Sequence, residues 1–160
     1  MSGGHGRSLA EPAFPDDDGR LDERLGAVLG DREAVLGVLG EVRVFVPIVA
    51  TLGEGGLTPE GGDKDADMAA VLMTGADGRT ALLTFSSLDA MSRWDPRARP
   101  VPVWGRAAAI AALDEGASAV LLDLGSPHFT VVETEDVRHL AAGHRLVRTD
   151  AGLAWVTATD

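Results

Sequence analysis

Apolar residues along this chain alternate between two spacings, and the switches between them mark the elements. From Leu21 the spacing is helical: Leu21, Leu25, Val28 and Leu29 share one face, and Val35, Leu36 and Leu39 continue on a similar one. Gly30-Asp31 interrupts the run. Glycine suits the position just past a helix end and aspartate the cap of a new helix, so two short helices are expected. The stretch VRVFVPIVA (42–50) is β-branched and apolar at nearly every position, the pattern of a strand covered on both faces. Pro47 cannot donate to a ladder, which predicts a place near the strand's end or on an unpaired edge. MAAVLMT (68–74) and RTALLTF (79–85) flank Gly75-Ala76-Asp77-Gly78, an Asp-Gly turn that predicts a hairpin.

The second half is punctuated in the same way. GRAAAIAALDEG (105–116) is a helix former that stops at Gly116, and ASAVLLDL (117–124) reads as a buried strand. Gly125-Ser126-Pro127 turns the chain into HFTVV (128–132). Thr134 then caps a helix carrying Val137, Leu140 and Ala141, ended by Gly143, and LAWVT (153–157) closes the chain. The order α-α-β-β-β-α-β-α-β-β-α-β predicts an α+β fold: a mixed, largely antiparallel sheet with helices packed on it, in a single domain over 21–160. Val101 to Val103, the helix at 105–115 and the strand near 118–123 are expected to form a right-handed crossover. Residues 1–20 are rich in Gly, Pro and Asp without apolar periodicity, which predicts a flexible N-terminal tail with Asp16-Asp17-Asp18 as a solvated run.

Composition removes function classes more than it adds them. Four Phe, three Trp and no Tyr leave a core of Val, Leu and Ala. The net charge of −11 opposes binding to phosphate backbones and to anionic membrane surfaces, so neither nucleic acid nor membrane is expected as a partner. Absence of cysteine excludes a disulfide framework, a thiolate zinc site and a cysteine nucleophile. No N-terminal apolar region or long apolar run is present, so a cytoplasmic location is expected. The Gly-rich loop at 51–67 matches neither the P-loop nor the dinucleotide spacing. No His-x-x-x-His or His-x-His spacing points to a metal, and no cofactor is expected.

Two stretches hold candidate chemistry. Ser86-Ser87-Leu88-Asp89 fits a capping box, with the Ser86 hydroxyl accepting from a helix amide; a hydrolase elbow would need flanking glycines that are absent. Asp123 is expected to cap the 125–127 turn, and His128, His139 and His144 to stand isolated. The alternative is a small hydrolase or transferase using Ser86, Asp123 and His128 as nucleophile, acid and base. Further on, Arg93, Trp94, Arg97, Arg99, Trp104 and Arg106 gather cations and large planar groups in an otherwise acidic chain, stiffened by Pro96, Pro100 and Pro102. Arg and Trp are enriched where partners bind, which makes these six residues the candidate binding surface. Against that, the tryptophans could simply anchor the loop while the arginines pair with Asp89 and Asp95.

The stretches VFVPIVA, DMAAVLMTGADGRTALLTFSSLDAMSRWDPRARPVPV, RAAAIAALDEGASAVLLD and VRHLAAG, in that order, resemble the N-terminal domain of the SseB family. The hairpin followed by Trp-Asp-Pro and Arg-Pro-Val-Pro at 94–103 is the most specific part, and the chain is similar to short actinobacterial members that hold the domain alone. Asp123-Leu124 and Ser86-Ser87 stand where the family often has Asp-Pro and Thr-Ser. The resemblance implies the α+β fold and carries over no catalytic residue. The expectation is a non-enzymatic binding module for a protein, a homodimer included, or for a small anionic ligand. A structural homo-oligomer is a further alternative.

Overall fold

The computed structural model describes residues 14–50 and 68–157. Its helical start follows the expected punctuation. Asp22 accepts the Arg24 amide (2.8 Å) at the head of α1 (Glu23–Gly26), which buries Leu25. Gly30 takes φ 97°, a backbone conformation that suits glycine, and Asp31 then caps α2 (Arg32–Val38) through the Ala34 amide. A single 3-10 turn, Leu39–Glu41, leads into the first strand.

The sheet is mixed and forked. β1 (Arg43–Ala50) pairs antiparallel with β5 (Arg99–Trp104), while β4 (Thr80–Thr84) pairs in parallel with β6 (Ala119–Leu122), which pairs antiparallel with β7 (Thr130–Glu133). β1 and β4 meet at Phe45 and Phe85, which exchange both backbone hydrogen bonds at 2.8 Å, and then diverge. Into this fork runs the predicted 68–74 strand, folded as a V. Its first arm, β2 (Met68–Ala70), pairs with β1, and its second, β3 (Leu72–Thr74), pairs with β4 across the expected turn at 75–78. At the apex the Val71 amide donates to Pro47 and its carbonyl accepts from Leu83.

Pro47 is therefore interior to the sheet, flanked by β5 and the V, and not at an end or edge as the sequence suggested. It is tolerated because the β1–β2 ladder begins only at Ile48, so no neighbouring carbonyl needs the missing donor. The edge role falls to Pro100 and Pro102. They lie opposite Pro47 and Phe45, and Phe45 spends its backbone bonds on Phe85, so their donor-less nitrogens face the open side of β5. Prolines there block pairing with another strand.

The parallel partner of β6 is β4, not β5. The crossover runs through α3 (Leu88–Trp94), β5 and α4 (Gly105–Asp114), which places β5 in the other half of the sheet and corrects the expected β5–helix–β6 unit. Ala108, Ala109 and Ala112 form the buried face of α4, small enough for close packing beside α5 (Thr134–Ala141). Gly105 lies so near the Leu39 carbonyl that a Cβ would clash with it. The main core joins Leu36, Val44, Leu82, Val120, Val132 and Leu140; a second cluster centres on Phe85, Leu83 and Met91. β8 (His144–Thr149), which the sequence reading passed over, pairs with the expected last strand β9 (Gly152–Thr157) and packs on α2.

The folded body also begins earlier than residue 21. Phe14 packs edge-on against Trp104 (4.6 Å), and Gly19 accepts the Leu88 amide. Asp17 is bonded to Arg43 at 2.7 and 3.0 Å, so this part of the expected solvated tail is docked. Residues 1–13 and the 51–67 loop lie outside the described residues.

Candidate functional site

The ends of β4 and β6 bring Ser86, Asp123 and His128 together. Ser86 donates its hydroxyl to Asp123 Oδ2 (2.6 Å) and its amide to Oδ1 (2.7 Å), and His128 Nε2 lies 2.9 Å from the same Oδ2. Asp123 is wholly buried, Ser86 is 2% exposed, and Asp123 has φ 60°, a conformation that Asp and Asn tolerate better than most residues. The constellation has the residue types of a catalytic triad in a different order. A serine nucleophile needs a base on its hydroxyl and the acid behind that base. Here the carboxylate sits in the middle, the imidazole touches it and not the serine, and the hydroxyl is turned inward.

The helix cap falls on the second serine of the pair. Ser87, not Ser86, caps α3, accepting the Ala90 amide at 3.1 Å. Asp123 spends its side chain on Ser86 and His128, and only its backbone serves the 125–127 turn, through the Ser126 amide. The network continues through Arg43 to the N-terminal segment. Arg43, 6% exposed, donates to the Ser86 carbonyl (2.9 Å), to Asp17 and to the Arg20 carbonyl, and lies 4.3 Å from the Phe45 ring centroid. Burial pushes the Asp17 carboxyl up, but the Arg43 hydrogen bond, the Gly19 amide and the Arg43 charge together hold it below its ordinary value. Asp17–Arg43–Ser86–Asp123–His128 is thus a polar chain that ties the N-terminal segment to both halves of the sheet.

The Trp-Arg-Pro stretch does not form one surface. Trp94 is half-buried and stacked on Phe85 (5.4 Å), an anchor. Arg97 bonds Asp95 through both its amide and its guanidinium, and the Asp95 carboxyl is held low by the Arg97 amide first and its guanidinium second. Arg93 on α3 and Arg99 at the start of β5 are exposed. Trp104 closes the far end of β5, roughly 17 Å from Arg99 at ~3.3 Å per residue, and Arg106 follows in the first turn of α4.

Trp104 and Arg106 belong instead to a cleft of about 520 Å³ between the 3-10 turn, the first half of α4 and the α5–β8 junction. Its walls include Trp104, 48% exposed, and Ile110, 41% exposed. Arg106 is oriented by a bond from Nε to the Ala141 carbonyl (3.2 Å) at the end of α5. Arg145, His144 and Glu41 complete the polar lining. Most of the described arginines meet a carboxylate; Arg93, Arg99, Arg106 and Arg145 meet none among the described residues. Two of those four share this cleft.

Sequence reasoning missed Arg145 and Glu41, because nothing in their spacing relates them to position 106. It also left His139 and His144 isolated, whereas their Nδ1 atoms are 2.9 Å apart and His139 stacks on Trp155. Among the described residues, no group of three or more His, Asp or Glu is arranged to hold a metal, and no helix is long and apolar enough to cross a membrane.

Fold and site define an α+β domain with a polar chain, buried at Arg43, Ser86 and Asp123, at the ends of β4 and β6, and an arginine-lined cleft between α4 and the α5–β8 junction. Residues 21–139 match the model of the SseB protein N-terminal domain, and the chain belongs to the SseB family. No curated protein matches it.

Proposed function

We propose that this protein is a non-enzymatic binding module whose binding site is the cleft formed by Trp104, Arg106 and Arg145, and that its ligand is small and anionic. One observation carries the reading: in a chain of net charge −11, two guanidiniums without carboxylate partners among the described residues line one cleft beside an exposed tryptophan. Arginine presents a planar fork suited to carboxylate or phosphate, and tryptophan offers contact area at little entropic cost. Against catalysis stands the buried Ser86 hydroxyl, which is bonded to the Asp123 carboxylate and carries no imidazole. A cytoplasmic setting accords with the acidic, cysteine-free composition.

Arg93, Arg97 and Arg99 remain the rival surface, which fits a protein partner. Mass spectrometry of proteins and metabolites that co-purify from the native host tests the choice. The Arg106→Gln/Arg145→Gln variant should lose a small-molecule signal that Arg97→Ala/Arg99→Ala retains. The reverse, or a protein lost only with the latter pair, would move the site to the α3–β5 loop.

A further inference from the structure

Resting on the cleft reading, we propose that the ligand is a monocarboxylate bearing an apolar or aromatic group. Its carboxylate is held by Arg106 and Arg145, and its body lies on Trp104 and Ile110. The lining fixes each part of this description. A volume of about 520 Å³ falls within the range of small-ligand pockets. Arg106 is preoriented, because the Ala141 carbonyl takes Nε and Gly143 lets the guanidinium lie close over the backbone. Its terminal nitrogens have no carboxylate among the described residues, and neither do those of Arg145. Charge-assisted, bidentate bonds to an anion are the strongest use of such groups.

Charge also limits the ligand. Glu41 is the one carboxylate in the lining, and it opposes a second negative charge beside the first. The overall −11 repels polyanions, which disfavours phosphate-rich ligands. Two guanidiniums against one carboxylate exclude a simple cation. The apolar requirement comes from Trp104 and Ile110, which leave an uncovered surface next to the arginines. A ligand that is charged at one end and apolar at the other satisfies both.

The test is a titration of the isotope-labelled full chain followed by NMR, with phenylacetate, its neutral isostere phenylacetamide, and inorganic phosphate. Phenylacetate is expected to shift the Trp104 indole N–H and the backbone amides of Arg106, Ile110 and Arg145. Phenylacetamide should bind about ten-fold more weakly, the effect of losing a charge-assisted bond. Arg145→Gln, at an exposed position with no carboxylate partner among the described residues, should reduce phenylacetate affinity about as much while the rest of the spectrum stays unchanged. Equal binding of acid and amide would overturn the carboxylate inference and leave the cleft a binding site. Phosphate binding as tightly as phenylacetate would overturn the apolar half. No cleft shift with any probe would remove both the inference and the site.

Discussion

Ser86 donates both its amide and its hydroxyl to one carboxylate, that of Asp123, at 2.7 and 2.6 Å. These bonds join the end of β4 to the end of β6, next to the Thr84 hydroxyl, which donates to the Leu121 carbonyl across the same parallel pair at 2.9 Å. A serine committed in this way is part of the scaffold. Substituting Ser86 by Ala should cost about 1.5–3 kcal/mol, the range for a hydrogen bond to a charged group, measured by denaturant unfolding.

Asp123 separates two effects in one residue. Asp123→Asn keeps a side chain that accepts φ 60°, whereas Asp123→Ala adds backbone strain to the lost bonds. Unfolding should rank Ala below Asn by about 1 kcal/mol or more. Equal losses would mean that the backbone there is unstrained.

The two adjacent serines are distinguishable by experiment. Ser87→Ala removes the α3 cap and should cost about 1 kcal/mol. Since Ser86 serves another element, the two losses should add within a few tenths of a kcal/mol. Strong coupling in the double-mutant cycle would show that the serines act as one unit.

This pair also shows where the sequence is readable. The Ser-x-x-acid pattern signals a helix start at the right place, yet it cannot say which serine faces the helix. That depends on Asp123, 37 residues onward, reaching back across the sheet. Local signals gave the turns: Asp31, Gly78, Gly116 and Gly143 all act within a few residues, and those elements form as expected. Non-local pairings were not legible. The V at Val71, the β4–β6 partnership and the interior place of Pro47 follow from which strands meet, and spacing carries no record of that. β8 was missed because its short HRLVRT run, although it follows the stop at Gly143, alternates imperfectly and is rich in charged residues. At the site, the six residues chosen from their clustering were divided by the length of β5, and Arg145 came in through topology alone.

Arg43 and Asp17 make a pH prediction. The folded Asp17 carboxyl lies below its ordinary 3.8, so its contribution to stability is complete above 3.8 and is lost as pH falls through the lower folded value. Wild type should therefore exceed Asp17→Asn by a constant margin near neutrality, and the margin should vanish in acid. A margin that grows in acid would contradict the pairing. Arg43→Ala leaves polar groups buried without their partner and should cost about 3–5 kcal/mol at neutral pH.

Ser86 serves stability and Arg145 is proposed to serve binding, and one comparison tests that division. Phenylacetate affinity is measured on folded Ser86→Ala and Arg145→Gln proteins alongside wild type. Ser86→Ala should bind as wild type does, and Arg145→Gln should bind about ten-fold more weakly. Loss of binding in Ser86→Ala with full binding in Arg145→Gln would contradict that division, and would return the function to the serine.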